Sequence, residues 1–487
     1  MDAHQARVVS RRGGEGGACA CAIGTILRPM SLRILHISTR LILGGSQENT
    51  VLSCRGQARL GHEVHLAFGP IYGPEGSMLE WVEGEETKRG RDAEKGHRDE
   101  GTEAQRGEME RERDGERKRR RDGEAERRRD EEGDGVCGSA GRITTHVVPH
   151  MVRRIDPIAD LRCYCELKSL IRRIGPDIVH THSSKAGILG RAAAWSIGRS
   201  TRAQGRTGTT GSIGVVHTIH GPPFHRYQSR IKNAVYVLAE RLAARRCHLI
   251  VSVADAMTRQ YLARGIGRPG QYVTVRSGME IEQFLDAAPG QTRAEVRRAL
   301  GLGEDDFVIG TVARLAELKG HDDLLDALGE DLRRNRDWKL LWVGDGWWRQ
   351  RLLKRVGELG LGAQVVTTGL VPPERIPGMI RAMDVLAHPS YREGLPRTVP
   401  QALLCGVVPI AYDVDGTGEV CREMETGRLI APGDTGELRE GVRWLHANPE
   451  ACARLARRGR DECRDAFSDT RMVDELEKVY ARALELA

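Results

Sequence analysis

The chain has 487 residues, a length that accommodates two or three domains. Its hydrophobic fraction is 39% and its aromatic fraction 4%, low for one globular body, and a single long charged segment accounts for much of the deficit. The net charge of +7 comes from intermixed signs and argues against nucleic acid as a partner.

Residues 1–31 read as a disordered leader, because the apolar stretch within 18–27 is short and no mature boundary follows it. Leu32-Arg-Ile-Leu-His-Ile then predicts a buried strand, Leu43-Gly-Gly-Ser a tight turn, and 47–60 a helix that Gly61 stops. Val64-His-Leu-Ala-Phe is a second strand, and this order is how an open parallel sheet begins. The segment 83–141 breaks the pattern, and its residues 83–135 are almost only Arg, Lys, Glu, Asp and Gly. It buries too little apolar surface to offset its ordering entropy and reads as a disordered loop insertion, within which 108–129 has the charge spacing of a solvated helix. Its basic runs, Lys118-Arg-Arg-Arg121 and Arg127-Arg-Arg129, are interleaved with acids, which argues against a membrane or RNA contact there.

The sheet pattern resumes at Ile143, with a helix over 157–174, a strand at Ile178-Val-His-Thr-His, a helix over 186–195 and a strand at Val215-Val-His-Thr-Ile-His. A loop is expected over 198–214. A helix over 229–246, strands at Leu249 and Tyr272, and a helix from Ala254 complete one α/β unit ending near Phe284. A second series starts at Phe307-Val-Ile-Gly-Thr-Val. It continues with helices over 321–328, 347–359, 376–382 and 397–405, strands at Lys339, Gln364, Val385, Val408 and Gly427, and a final helix over 469–486. The fold class is therefore α/β, with two Rossmann-like domains facing a cleft. The expected units are 32–285, carrying the insertion, then 286–468, then a helix at 469–487.

Several groups of residues carry chemistry. In Gly310-Thr-Val-Ala-Arg314-Leu-Ala-Glu-Leu-Lys319-Gly320, two cations follow a strand at the sheet edge where ligands bind, and both can reach a diphosphate. Two ordinary surface cations are the plain alternative. In His388-Pro-Ser-Tyr-Arg-Glu393-Gly394-Leu395-Pro396, a strand runs into a loop whose carboxylate suits sugar hydroxyls and whose amides precede a helix, although Glu393 as a helix cap also fits. Gly44-Gly45 is by itself a plain turn. His180, His182 and His217 are expected to pack together; a metal site among them lacks a completing carboxylate or cysteine. His220 sits where its strand ends, beside Gly221. Asp413-Val-Asp415 has the form of a metal-diphosphate motif but lies where turn chemistry is expected. The eleven cysteines are dispersed, with neither zinc-knuckle nor redox spacing, as in reduced cytosolic proteins, and no apolar run is long enough to span a membrane.

These motifs together resemble the group 1 (family 4) glycosyltransferases of GT-B architecture. The likeness rests on Gly44-Gly45, PDIVHTHSSKAGILGR from Pro176, HTIHG from His217, GTVARLAELKG and HPSYREGLPRTVPQALLCG, and it extends over 32–487 apart from the insertion. The resemblance implies a retaining glycosyltransferase that uses a nucleoside diphosphate sugar without a metal or other cofactor. Arg314 and Lys319 would bind the donor diphosphate. Glu393, with the amides of Gly394 and Leu395, would hold donor sugar and phosphates. Gly44 and Gly45 would bring backbone to the phosphate, His220 would stand near the reacting sugar, and the last helix would cross back to the first lobe. The family's second signature glutamate is Gln401 here. Its amide oxygen still accepts a ribose hydroxyl, and the lost charge should weaken nucleotide binding by about 1 kcal/mol.

The implied acceptor is a glycan or lipid-linked glycan, in cell-surface polysaccharide synthesis at the cytoplasmic face of the plasma membrane. The basic residues Arg153, Arg154, Arg172 and Arg173 are open to two readings, an anionic membrane contact or a solvated helix face. Two alternatives to transfer stand beside it: a weakened nucleotide-sugar-binding protein, which Gln401 suggests, and a nucleotide-sugar epimerase of the same fold.

Overall fold

The structure, a computed structural model, describes residues 31–42, 44–71, 77–79, 81–82, 143–154, 156–203 and 212–487. The expected leader before Ser31, the charged segment 83–141 with its helix, and residues 204–211 of the expected loop lie outside the described residues.

Seven strands form the first sheet: β1 (Arg33–Ser38), β2 (Glu63–Phe68), β3 (Ile143–Val147), β4 (Ile178–His182), β5 (Gly214–Ile219), β6 (Leu249–Ser252) and β7 (Tyr272–Thr274). All pair in parallel, in the order β3-β2-β1-β4-β5-β6-β7. The central strands are buried almost throughout because helices cover both faces, so they read as continuous runs. Six strands form the second sheet: β8 (Phe307–Val312), β9 (Trp338–Val343), β10 (Val365–Gly369), β11 (Val385–His388), β12 (Val408–Tyr412) and β13 (Arg428–Ile430). Their order is β10-β9-β8-β11-β12-β13, again all parallel. In each sheet the order reverses beside its first strand, between β1 and β4 and between β8 and β11. The loops leaving those strands frame the crevice where such sheets take ligands.

Two expected helices are longer than their sequence signals. The helix expected over 186–195 runs Ser184–Ala203 and takes in the first residues of the expected 198–214 loop. Ile197 is still buried there, and a glycine such as Gly198 costs a helix only about 1 kcal/mol. The helix expected to stop at Leu328 runs His321–Arg334, since Leu332 continues its buried stripe. The helices Arg293–Leu300, Thr435–Ala447 and Pro449–Ala466, which no expectation named, cover the second sheet's flank and the approach to the final helix.

That final helix, Asp469–Glu485, is capped by Ser468, whose side chain accepts the Arg471 N–H. Its stripe of Met472, Val473, Leu476, Val479, Tyr480 and Ala483 shares one core with Ile34, Leu52, Ile178 and Val216 of the first sheet and its first helix, Gly45–Arg59. The approach is close: a Cβ on Gly56 would lie 2.3 Å from Val473 Cγ2.

Candidate active site

On the second sheet, the loops leaving β8 and β11 are laced together. Gly320 has φ +71°, and a Cβ there would lie 2.0 Å from the Pro389 carbonyl oxygen, so only glycine allows the two loops this near. Leu318 takes the left-handed conformation, φ +64°, while its carbonyl accepts the Tyr391 N–H at 2.9 Å. Strain of that kind gathers at binding sites. The result is one ion pair: Lys319 Nζ donates to Glu393 Oε1 at 2.6 Å and to Ser390 Oγ at 3.3 Å. His388 Nε2 lies 3.2 Å from the same Glu393 oxygen. Burial pushes the Glu393 carboxyl up, but the Lys319 ammonium and His388 more than offset it and hold it well below the usual carboxylate range.

Glu393 therefore does not cap the helix Thr398–Leu404. Its own N–H is taken by Asp415 Oδ2 at 2.7 Å, and the other Asp415 oxygen accepts from Gln260 of the first lobe at 2.8 Å. Asp415 has φ +49°, so the expected turn chemistry is present, and its carboxylate also ties the Glu393 loop to the opposite lobe. Arg314, on the loop leaving β8, is exposed and holds its guanidinium 5.6 Å over the Trp347 ring.

The first lobe meets this site at two glycines. A Cβ on Gly394 would lie 2.0 Å from the His220 carbonyl oxygen, and one on Gly45 would lie 2.5 Å from Arg397 Cδ. Gly44 starts the first helix, its carbonyl accepting the N–H groups of Gln47 and Glu48 at 3.1 and 2.9 Å. Arg397 reaches across from the second lobe, donating to Glu48 Oε1 at 2.5 Å and to the Gly278 carbonyl at 2.9 Å. Leu395 and Gln401 are buried, Gln401 one helical stretch beyond the loop, eight residues after Glu393. His220 follows the last residue of β5, beside Gly221, and burial together with the Arg397 charge pushes its pKa down to about 3.

The expected histidine packing is corrected in one member. Parallel register pairs Thr181 with His217, so His217 lies on the opposite face from His180 and His182 and bonds Thr181 Oγ1 at 2.9 Å. Its place is taken by His36 of β1. His36, His180 and His182 bring one nitrogen each within 4.8 Å of one another, all buried. As a cation site they fit poorly, because both ring nitrogens of each are already hydrogen-bonded, to one another and to Gln57, Tyr480, Thr218 and His220.

Sequence reasoning missed His36, Gln57, Tyr480 and Arg397, and gave Asp415 a turn's role without its tie to Gln260 across the cleft. Arg397 lay inside a quoted motif, but nothing in its spacing signals a reach across the cleft. The parity of β1, which puts His36 on the face of His180, was readable only once strand order was known.

The model of "Glycosyltransferase Family 4" matches residues 119–283 and that of "Glycosyl transferases group 1" residues 292–462. The putative glycosyltransferase EpsD of Bacillus subtilis is 28% identical over 334 residues, 68% of this chain and 83% of that one. The UDP-Gal:alpha-D-GlcNAc-diphosphoundecaprenol alpha-1,3-galactosyltransferase of Escherichia coli is 25% identical over 357 residues, 71% of this chain and 87% of that one. Among solved structures, Anabaena HepE in complex with UDP and glucose superposes with a TM-score of 0.65 at 17% identity, over 92% of this chain and 99% of that one.

Proposed function

Because the chain belongs to the group 1 (family 4) glycosyltransferases and has their two-lobed GT-B architecture, we propose that it transfers a sugar from a nucleoside diphosphate sugar to a glycan or lipid-linked acceptor with retention of configuration. The observation that carries this reading is the Lys319–Glu393 pair, lodged at the ligand-binding edge of the second sheet and faced by the His220–Gly221 turn of the first. Lys319 supplies a fixed positive charge where a leaving diphosphate gathers negative charge, and Arg314 adds a second cation on the same loop. Glu393, held ionised, accepts hydrogen bonds from sugar hydroxyls and keeps Lys319 in place. With Lys319 in that role the reaction needs no metal, so a chelator should leave turnover unchanged. In Lys319→Ala, nucleoside diphosphate release from donor and acceptor should fall about a hundredfold or more. Turnover near that of the unaltered protein would sink the diphosphate assignment. The same assay separates the alternatives: an epimerase makes a new nucleotide sugar without release, and a binding protein yields neither product.

We place the acceptor at an anionic membrane surface on the cytoplasmic side. No helix among the described residues is long and apolar enough to cross a membrane. The helix Arg230–Ala244 nevertheless leaves Ile231, Val235, Leu238 and Leu242 exposed by 80, 54, 58 and 45%. Spacings of four and three residues put them on one stripe. Arg230, Lys232 and Arg241 are exposed around it, while the helix's one acid, Glu240, is buried against Arg191 at 2.8 Å. Apolar stripe plus basic flank is the pattern of a helix lying on anionic lipid. This favours Arg230–Ala244 over the cluster of Arg153, Arg154, Arg172 and Arg173. Sedimentation with phosphatidylglycerol vesicles should be reduced in Leu238→Glu, and binding unchanged by that substitution would refute the placement.

A further inference from the structure

An unbroken chain of hydrogen bonds joins the final helix to the end of β5 through the buried middle of the first sheet. Gln57 Nε2 donates to the Tyr480 hydroxyl at 2.9 Å, and Gln57 Oε1 meets His36 Nε2 at 2.7 Å. His36 Nδ1 meets His182 Nε2 at 3.0 Å, and His182 Nδ1 meets His220 Nε2 at 3.1 Å. On the other branch, the Tyr480 hydroxyl meets His180 Nδ1 at 2.7 Å, and His180 Nε2 meets Thr218 Oγ1 at 2.7 Å. Gln57, His36 and His180 are wholly buried, and His182 nearly so.

We propose that Gln57, acting through His36 and His182 as positioning residues, sets the tautomer of His220, leaving Nε2 protonated and Nδ1 as the ring's single acceptor for a hydroxyl of the bound sugar. An amide oxygen only accepts, so His36 Nε2 carries a proton. A neutral imidazole has one, so His36 Nδ1 is bare and must accept from His182 Nε2–H. His182 Nδ1 is then bare in turn and accepts from His220 Nε2–H. Every ring is kept neutral because burial pushes His36 down to about 4 and His180 and His182 well below their usual value. The second branch closes consistently: Tyr480 accepts from Gln57, donates to His180 Nδ1, and His180 Nε2–H donates to Thr218. A reversed Gln57 would reverse every link and turn His220 Nδ1 into a donor, so one buried amide decides what His220 offers the cleft.

The kinetic part of this inference rests on the proposed transfer reaction, and the structural part does not. The test is a nitrogen-15 spectrum of the full chain with labelled histidine at neutral pH, with His220→Gln assigning the resonances. The expected result is a protonated Nε2 and a bare Nδ1 at His220. A protonated Nδ1, or an imidazolium, would overturn the proposal. Gln57→Glu, whose carboxylate also only accepts, should keep that tautomer. Gln57→Leu should give mixed tautomers and raise KM for the donor about tenfold, the worth of one hydrogen bond, with kcat little changed. An unchanged His220 spectrum in Gln57→Leu also overturns the proposal. Should either variant fail to fold, the unaltered protein's spectrum decides by itself. Should no transfer be detected while the tautomer is as expected, the reaction assignment fails and the relay stands.

Discussion

A methyl group on Gly394 would press within 2.0 Å of the His220 carbonyl, whereas one on Gly45 would meet the Arg397 side chain at 2.5 Å. The two glycines look alike in sequence and should respond differently to the same change. Backbone cannot step aside, so Gly394→Ala forces the two lobes apart at the site, at a cost of about 1–3 kcal/mol. A long side chain can swing away, so Gly45→Ala costs less and chiefly breaks the Arg397–Glu48 pair. Thermal unfolding and donor KM of the two variants should rank Gly394→Ala as the worse on both measures. The reverse ranking would mean that Arg397, and not the His220–Gly394 backbone contact, governs the juncture.

The final helix is the element on which the first lobe depends. It fills one face of the first sheet with Met472, Val473, Leu476, Val479 and Ala483, and its Tyr480 hydroxyl bonds both Gln57 and His180. Tyr480→Phe keeps the volume and leaves two buried polar groups short of a partner, which costs about 1–3 kcal/mol. Val473→Ala removes apolar packing against Gly56 without touching the hydrogen bonds. Both should lower the melting temperature, but only Tyr480→Phe should alter the histidine spectrum. A Tyr480→Phe protein with unchanged melting would mean that the hydroxyl's bonds are not made.

Over the whole molecule, the buried histidines couple stability to pH. Their folded pKa values lie below the ordinary 6.5, at about 4 for His36 and about 3 for His220. The unfolded chain therefore binds protons that the folded one refuses. Their contribution is complete above pH 6.5 and is lost as pH falls from there through 4. Carboxylates such as Glu393, also depressed when folded, add to the loss only below about their ordinary 4.5. The melting temperature should thus decline already between pH 6.5 and 5, and the decline should be shallower in His36→Asn. An equal slope in both proteins would show that His36 is not kept neutral by the fold.

Strand and helix alternation, two parallel sheets and the family were legible in the chain because parallel strands buried on both faces leave long apolar runs, and because Lys319, Glu393 and the glycines sit in contiguous motifs. Local pattern also explains where reading stopped short: Leu332 and Ile197 extend their helices past residues that look like ends. What tertiary structure alone decided is which residues meet across sequence distance. Only strand order puts His36 beside His182, and only register sends His217 to the other face. Only the return of the final helix brings Tyr480 to Gln57, and only lobe closure sets Gly394 under His220. Such contacts depend on strand order, register and lobe packing, which spacing along one strand or helix does not encode. Sequence by itself determined the two sheets and the cation–carboxylate motifs; the pairing of Lys319 with Glu393 and the polarity of the histidine chain are properties of the packed molecule.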